Sequence, residues 1–265
     1  MKKTNKSNCP VFLSSYAQSN PDATWEDFRQ DSQGQSYRTV RLQAIQDQGG
    51  LCAYCETPSL DKPEKFSIEH YHPKADTANP AINWALKWDN LHAVCRGGRE
   101  KSPDATQAYP TPENLSCDAY KDHRVTKKQL PEDCEGYVFN PLSMPAAKIF
   151  KFNKSNGALE VDKDACANIY YYGCNNFPSL ADLAEETLRV LNLNCQRLCD
   201  ARLEVLIFYS RKIKEARLRN NKQIFQQLAQ SWFSTRWPSF FTTRRDLLDQ
   251  NQAAEKYLQS INYNG

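Results

Sequence analysis

Two cysteines spaced two apart, Cys52 and Cys55, precede Ile68-Glu69-His70-Tyr71-His72-Pro73 and Trp88-Asp89-Asn90-Leu91-His92-Ala93-Val94-Cys95. A C-x-x-C knuckle can aim two thiolates at one ion, half of a tetrahedral zinc site, and two further sulfurs would close it. Cys95 and Cys117 are the natural candidates, with Cys134 the alternative for the fourth place. Small buried residues are the plain alternative for Cys52 and Cys55, and a redox dithiol is a weaker one because no βαβ pattern surrounds the pair. Glu69-His70 supplies what metal-assisted phosphodiester hydrolysis needs. A carboxylate is a hard ligand for Mg²⁺ or Mn²⁺, and an adjacent imidazole not bound to metal can take the proton of the attacking water. Neighbours on an extended strand point to opposite sides, so one can face the ion while the other faces the water. An acidic-His dipeptide alone carries almost no information; its position between cysteines gives it weight.

Other polar residues fall around this set. Pro73 ends the strand of His70, and Asn90 could brace the loop carrying that histidine through its amide, a turn asparagine being the alternative. His72 and His92 read as structural or substrate-contacting residues rather than extra ligands, and His123 carries no signal.

The elements that must position these residues are legible in outline. Residues 1–50 form a helical lead-in: Thr24 can cap a helix with an acidic first turn, and Tyr37 to Gln48 has helical character before Gly49-Gly50 stops it. Residues 51–130 hold the motif, rich in Pro and Gly, as expected of a module organised by metal, with 96–116 as a long surface loop. A linker is expected around Gly136–Pro145, then a hairpin from 148–153 and 158–161 turning at Asn156-Gly157. The remainder of 131–265 is mainly helical: Ser179 can cap one helix through Leu191, and Asn194 can start a longer one with Leu198, Val205, Leu206, Tyr209 and Ile213 as its stripe. That stripe is expected to pack on the helix at 179–191. The opposite face, with Arg197, Arg202, Arg211, Lys212, Lys214, Arg217 and Arg219, would then remain for phosphate or an acidic partner. Eight Lys/Arg against three Asp/Glu between Cys195 and Lys222 fit nucleic-acid binding and a merely solvated face about equally.

The chain has 265 residues, 40% hydrophobic and 25% charged, the balance of an ordinary globular protein, and its net charge of +3 is too small to imply nucleic acid by itself. No run of eighteen apolar residues is present, so no membrane span is expected, and the basic start lacks an apolar segment behind it. Ten cysteines in such a chain fit metal ligation and buried thiols better than a disulfide scaffold, and the expected location is the cytoplasm.

Taken as a set, C-x-x-C, Glu69-His70-x-x-Pro73, Asn90-Leu91-x-x-x-Cys95 and Cys117-Asp118-x-x-Lys121 resemble the HNH endonucleases over roughly residues 51–125. The resemblance implies an α+β chain with a ββα-metal (His-Me finger) nuclease module on a four-cysteine zinc site, followed by a largely α-helical C-terminal region. It also implies roles: His70 as general base, Asn90 as brace, Glu69 and Asp118 on the catalytic Mg²⁺ or Mn²⁺, and Cys52, Cys55, Cys95 and Cys117 on structural Zn²⁺. Two departures stand out. Cys95 and Cys117 are separated by twenty-one residues instead of two, implying an inserted loop, and the residue after the fourth cysteine is Asp118 rather than Asn or His. The wording Gly50-Leu51-Cys52-Ala53-Tyr54-Cys55-Glu56, with Leu191-Asn192-Leu193-Asn194 further on, is similar to the PtuB-type nucleases of Septu and retron anti-phage systems. That implies a PtuA-type ATPase partner, a DNA or RNA substrate and, in retron versions, a reverse transcriptase with its RNA–DNA hybrid. The rival reading is a non-catalytic zinc-organised subunit that binds nucleic acid or a partner; Glu69-His70 argues against it, since a pure binder needs no acid–base couple beside a cation.

Overall fold

Thr24 closes a capping box with Asp27 at the head of helix α2 (Trp25–Gln30), which buries Trp25 and Phe28. In the computed structural model, which describes residues 1–59, 62–99, 107–234, 237–249 and 251–261, this helix follows α1 (Val11–Ser19) and precedes α3 (Gln35–Asp47). Helix α3 packs on an antiparallel hairpin of β1 (Phe66–His70) and β2 (Leu91–Cys95). Its C-cap residue Gln48 brackets Ala93, donating from Nε2 to its carbonyl at 2.7 Å and accepting its N–H at 2.8 Å. Glu69 lies opposite His92 and His70 opposite Leu91 in this register.

Helix α4 (Cys117–Thr126) packs on β2 and completes a strand–strand–helix unit around the motif. Its entry is tight. The Ser116 N–H donates to the Gly97 carbonyl at 2.9 Å, and a Cβ on Gly97, whose φ is +59°, would lie 2.1 Å from the Ser116 carbonyl oxygen. Glycine is the residue that admits both the left-handed backbone and this approach. The insertion between Cys95 and Cys117 therefore leaves and returns at neighbouring points; of the expected 96–116 loop, 100–106 lie outside the described residues.

The second sheet pairs β3 (Phe150–Phe152) with β4 (Leu159–Val161), within the bounds expected for the hairpin. Helices α5 (Lys163–Ala167), α6 (Leu180–Val190), α7 (Gln196–Leu218), α8 (Ile224–Trp232), α9 (Phe241–Leu248) and α10 (Gln252–Ser260) follow. One hydrophobic cluster spans the chain from Met1 to Leu258, so lead-in, motif and helical region share a core.

Four local expectations are corrected. The segment 136–145 is no free linker, because Val138, Phe139 and Met144 are buried and the Phe139 N–H donates to Thr187. The long helix starts at Gln196, not Asn194, whose amide instead pairs with both backbone groups of Leu159. Its principal packing is on α8 and α9 rather than on α6. Arg202 is not on a phosphate-facing surface: it is 2% exposed and donates to the carbonyls of Leu193 and Gly157. Helical period alone cannot separate a buried arginine that satisfies loop carbonyls from an exposed one on the same helix.

Candidate zinc centre and active site

The knuckle is set by the bridge of Leu51 to Pro58 and by the Cys52 N–H donating to the Thr57 carbonyl at 2.9 Å. It places Cys52 and Cys55 beside Cys95 at the end of β2 and Cys117 at the start of α4. The sulfur separations are 3.9 Å for Cys52–Cys117, 3.5 Å for Cys55–Cys95 and 3.9 Å for Cys95–Cys117. A tetrahedron with Zn–S bonds of about 2.3 Å has edges of about 3.8 Å. The four sulfurs therefore fit a metal ion such as zinc, and all lie within 4.8 Å of one another. Cys134 is elsewhere, its sulfur 3.5 Å from the Pro131 carbonyl.

Burial pushes the Cys52 and Cys117 thiols well above their ordinary value, while hydrogen bonds from its cysteine neighbours hold Cys55 well below it. The Cys95 N–H donates to the Cys52 sulfur at 3.3 Å, and Arg197 stands close by, its Nη2 donating to Ser116 at 2.7 Å. Burial opposes the charge on Arg197, but nearby Cys195, Cys55, Cys95 and Cys117 outweigh it and hold its pKa above the ordinary value. This removes Arg197 from the expected basic face and gives it an electrostatic place beside the cysteines. The knuckle is also clamped from the C-terminal region: the buried Glu56 carboxylate accepts from the Thr242 hydroxyl at 2.6 Å and from its N–H at 2.9 Å, in the first turn of α9. Such a turn has unpaired N–H groups that favour an anion.

Strand alternation separates Glu69 from His70. The Glu69 carboxylate turns to α4 and accepts a hydrogen bond from Lys121 Nζ; Asp118 Oδ1 lies 3.7 Å from the same nitrogen. Two carboxylates from β1 and α4 thus converge on one ammonium. Burial raises the Asp118 carboxyl to about 7, and its Oδ1 is buried without a hydrogen bond. Burial lowers the Lys121 pKa. Hard oxygen donors with an unsatisfied buried acceptor suit a divalent cation.

His70 lies toward α2, its ring edge-on to Trp25 at 4.7 Å and its Nε2 3.1 Å from the Ala85 carbonyl. Burial lowers it to about 4, which leaves the imidazole neutral near pH 7. Trp25 and Ala85 line a cleft together with Glu26, Lys74, Asp76 and Trp84. Asn90 braces the backbone two residues beyond His70: its Oδ1 accepts the His72 N–H at 2.6 Å, and its Nδ2 donates to the carbonyls of His72 and Trp84. Lys6, which sequence reasoning passed over, donates to the carbonyls of Trp88 and Leu91 on either side of Asn90. His92 is fully buried with both ring nitrogens unpaired.

Lys121 and Trp25 also went unassigned. The spacing of Asp118 and Lys121, three apart on one helix, was a readable signal for an ion pair. Nothing local in sequence marks Trp25 or Lys6, whose partners lie tens of residues away.

No family model matches the chain. A protein of Escherichia coli named "Retron Ec83 putative HNH endonuclease" is 35% identical over 252 residues, covering 94% of this chain and 93% of that protein. Among the described residues no helix is long and apolar enough to cross a membrane. Identity of this extent reaches through the motif and the helical region alike, and by it the chain belongs to the HNH endonucleases of the retron type, enzymes that act on nucleic acid.

Proposed function

We propose that the chain cleaves DNA or RNA at a site in which Glu69 and Asp118 hold a catalytic Mg²⁺ or Mn²⁺, His70 is the general base and Asn90 the brace. Cys52, Cys55, Cys95 and Cys117 hold a structural Zn²⁺ that fixes β2 to α4. The observation that carries this reading is the convergence of Glu69 and Asp118, from two different elements, on a single cation position at Lys121. A divalent ion there would polarise the scissile phosphate and offset the charge that develops on it. The neutral His70 ring takes the water's proton, and Asn90 holds the following backbone so that the ring keeps its orientation. Glu69 turns to α4 and His70 toward Trp25 of α2, so the two act from opposite sides of one strand.

The ββα-metal module occupies 51–130 in this reading, with 1–50 as its lead-in and 131–265 as the region for partner or nucleic acid. Kinship with a retron protein supports a retron setting, and the resemblance to PtuB-type nucleases extends the reading to the effector of a bacterial anti-phage complex in the cytoplasm, with a PtuA-type ATPase and a reverse transcriptase carrying its RNA–DNA hybrid. The test is co-expression with the neighbouring ATPase and reverse transcriptase, with phage plating and nucleic-acid integrity as readouts. Glu69→Gln and Asp118→Asn should abolish both cleavage and protection while zinc content stays unchanged. Full protection by either variant would refute the assignment.

A further inference from the structure

Beyond the cysteines and the Glu69–Asp118 pair, one more group of ligating side chains converges. His72 Nδ1 lies 3.0 Å from Glu135 Oε1, and His72, Asp133 and Glu135 each offer a ligand atom within 4.8 Å of the others. The two halves come from distant stretches of chain, the turn after β1 and the segment leading to Val138.

Four features make this group a built site rather than a chance ion pair. First, the other ring nitrogen, Nε2, is 2.7 Å from Asp76 Oδ2. A carboxylate holding the Nε2–H is the pattern by which metal-binding histidines are oriented, and it aims Nδ1 at Glu135, where a bound ion would take the place of the Nδ1 proton. Second, the ring is held flat against Trp84, centroids 3.9 Å apart and planes 29° apart, while Asn90 grips both backbone groups of His72. Third, the opposite half is equally fixed: the Glu135 N–H donates to Asp133 Oδ1 at 2.9 Å, and the Glu135 carbonyl accepts from Asn176 at 2.9 Å. Fourth, the charges do not balance. Three carboxylates surround a single imidazole, and among the described residues no lysine or arginine pairs with Asp76, Asp133 or Glu135. Even a protonated His72 would leave a surplus of two negative charges.

We propose that His72, Asp133 and Glu135 form a second divalent-cation site, oriented by Asp76 and distinct from the cation position at Glu69 and Asp118. One nitrogen and two or more oxygens, with no thiolate, select a borderline first-row ion such as Mn²⁺, Co²⁺ or Zn²⁺. Glu135 and Asp76 keep 36% and 31% of their side chains exposed, so water can complete the coordination. The bound ion ties the turn beyond His70 to the segment at 133–135, so its occupancy stiffens the edge of the cleft.

The test is titration of Co²⁺ into the full-length protein with its cysteine site already filled by zinc. Cobalt on nitrogen and oxygen gives weak visible bands without the intense thiolate charge-transfer band. The proton on His72 Nε2 would then appear as a strongly shifted, exchangeable ¹H NMR signal. Wild type should take up the ion with both signatures. Asp133→Asn combined with Glu135→Gln should remove the shifted proton signal and lower uptake by one ion, and Asp76→Asn should weaken uptake at this site about 10–100-fold, as loss of a ligand-orienting carboxylate does elsewhere. Asp118→Asn should leave the shifted signal in place, so failure here and failure of the catalytic assignment read out separately. No uptake, uptake untouched by the Asp133/Glu135 double variant, or a shifted signal lost in Asp118→Asn would overturn the proposal.

Discussion

The sulfurs of Cys52, Cys55, Cys95 and Cys117 lie against one another, whereas Glu69 and Asp118 meet at the Lys121 ammonium. Chemistry accounts for the contrast. Thiols can be buried neutral and wait for a metal, their positions fixed by a knuckle, a strand end and a helix start. Two carboxylates in a buried place repel each other unless a cation or a proton offsets one charge, and the fold supplies an ammonium of its own. Four sulfurs so placed suit a metal such as zinc, and in the function proposed above the oxygen site exchanges the ammonium for a divalent cation.

The largest effect should come from the sulfur site. Cys52→Ser or Cys117→Ser should lose zinc and the folded state together, since structural zinc is worth about 10–16 kcal/mol in apparent free energy, comparable to the entire stability of a domain. Cys134→Ser should keep both. Metal analysis with circular dichroism reads the outcome, and full zinc in Cys117→Ser with loss in Cys134→Ser would reverse the ligand assignment. Next in size is Lys121→Met, which strands two buried carboxylates and should cost about 3–5 kcal/mol. Added Mn²⁺ should recover much of that loss in thermal melts, while the Cys117→Ser protein should gain nothing from it. A Lys121→Met protein indifferent to Mn²⁺ would erase the distinction between the two sites.

Sequence made the sulfur site readable because its chemistry depends on residue type and its key pair is two residues apart. The oxygen site was readable only as a set of candidates: Glu69 and Asp118 could be named, but the ammonium between them requires β1 and α4 to be placed side by side. The insertion after Cys95 was evident from spacing, yet its closure at Gly97 and Ser116 rests on a backbone contact that no pattern encodes. The helical region was legible as helices and misread as packing, because a stripe shows which face is apolar and not which neighbour covers it. The same limit hid Arg202, and it hid the anchoring of the knuckle by Thr242.

That anchoring yields an intermediate effect. Thr242→Val removes the hydroxyl held by the buried Glu56 and should destabilise the protein by about 1–3 kcal/mol, measured by denaturant unfolding of the zinc-loaded chain. A neutral result would mean that the knuckle stands independently of the C-terminal helices. Smallest should be the effect of the outward charges of α7: Arg211→Glu with Lys214→Glu should change stability by less than about 0.5 kcal/mol. The same pair should lower nucleic-acid affinity and flatten its salt dependence, if phosphate is what that face meets. Binding titrations at several salt concentrations measure it, and unchanged affinity would assign those charges to solvation alone.

The central claim is that His70, held neutral between Trp25 and Ala85, supplies the base for hydrolysis while the cysteine site supplies only structure. Cleavage by purified His70→Ala, assayed in its complex beside wild type with zinc quantified in the same samples, tests it most directly. The expected result is one zinc per chain, an unchanged melting temperature and a rate lowered about 10²–10⁴-fold. Cleavage at the wild-type rate by His70→Ala, with contaminating nuclease excluded, would contradict it.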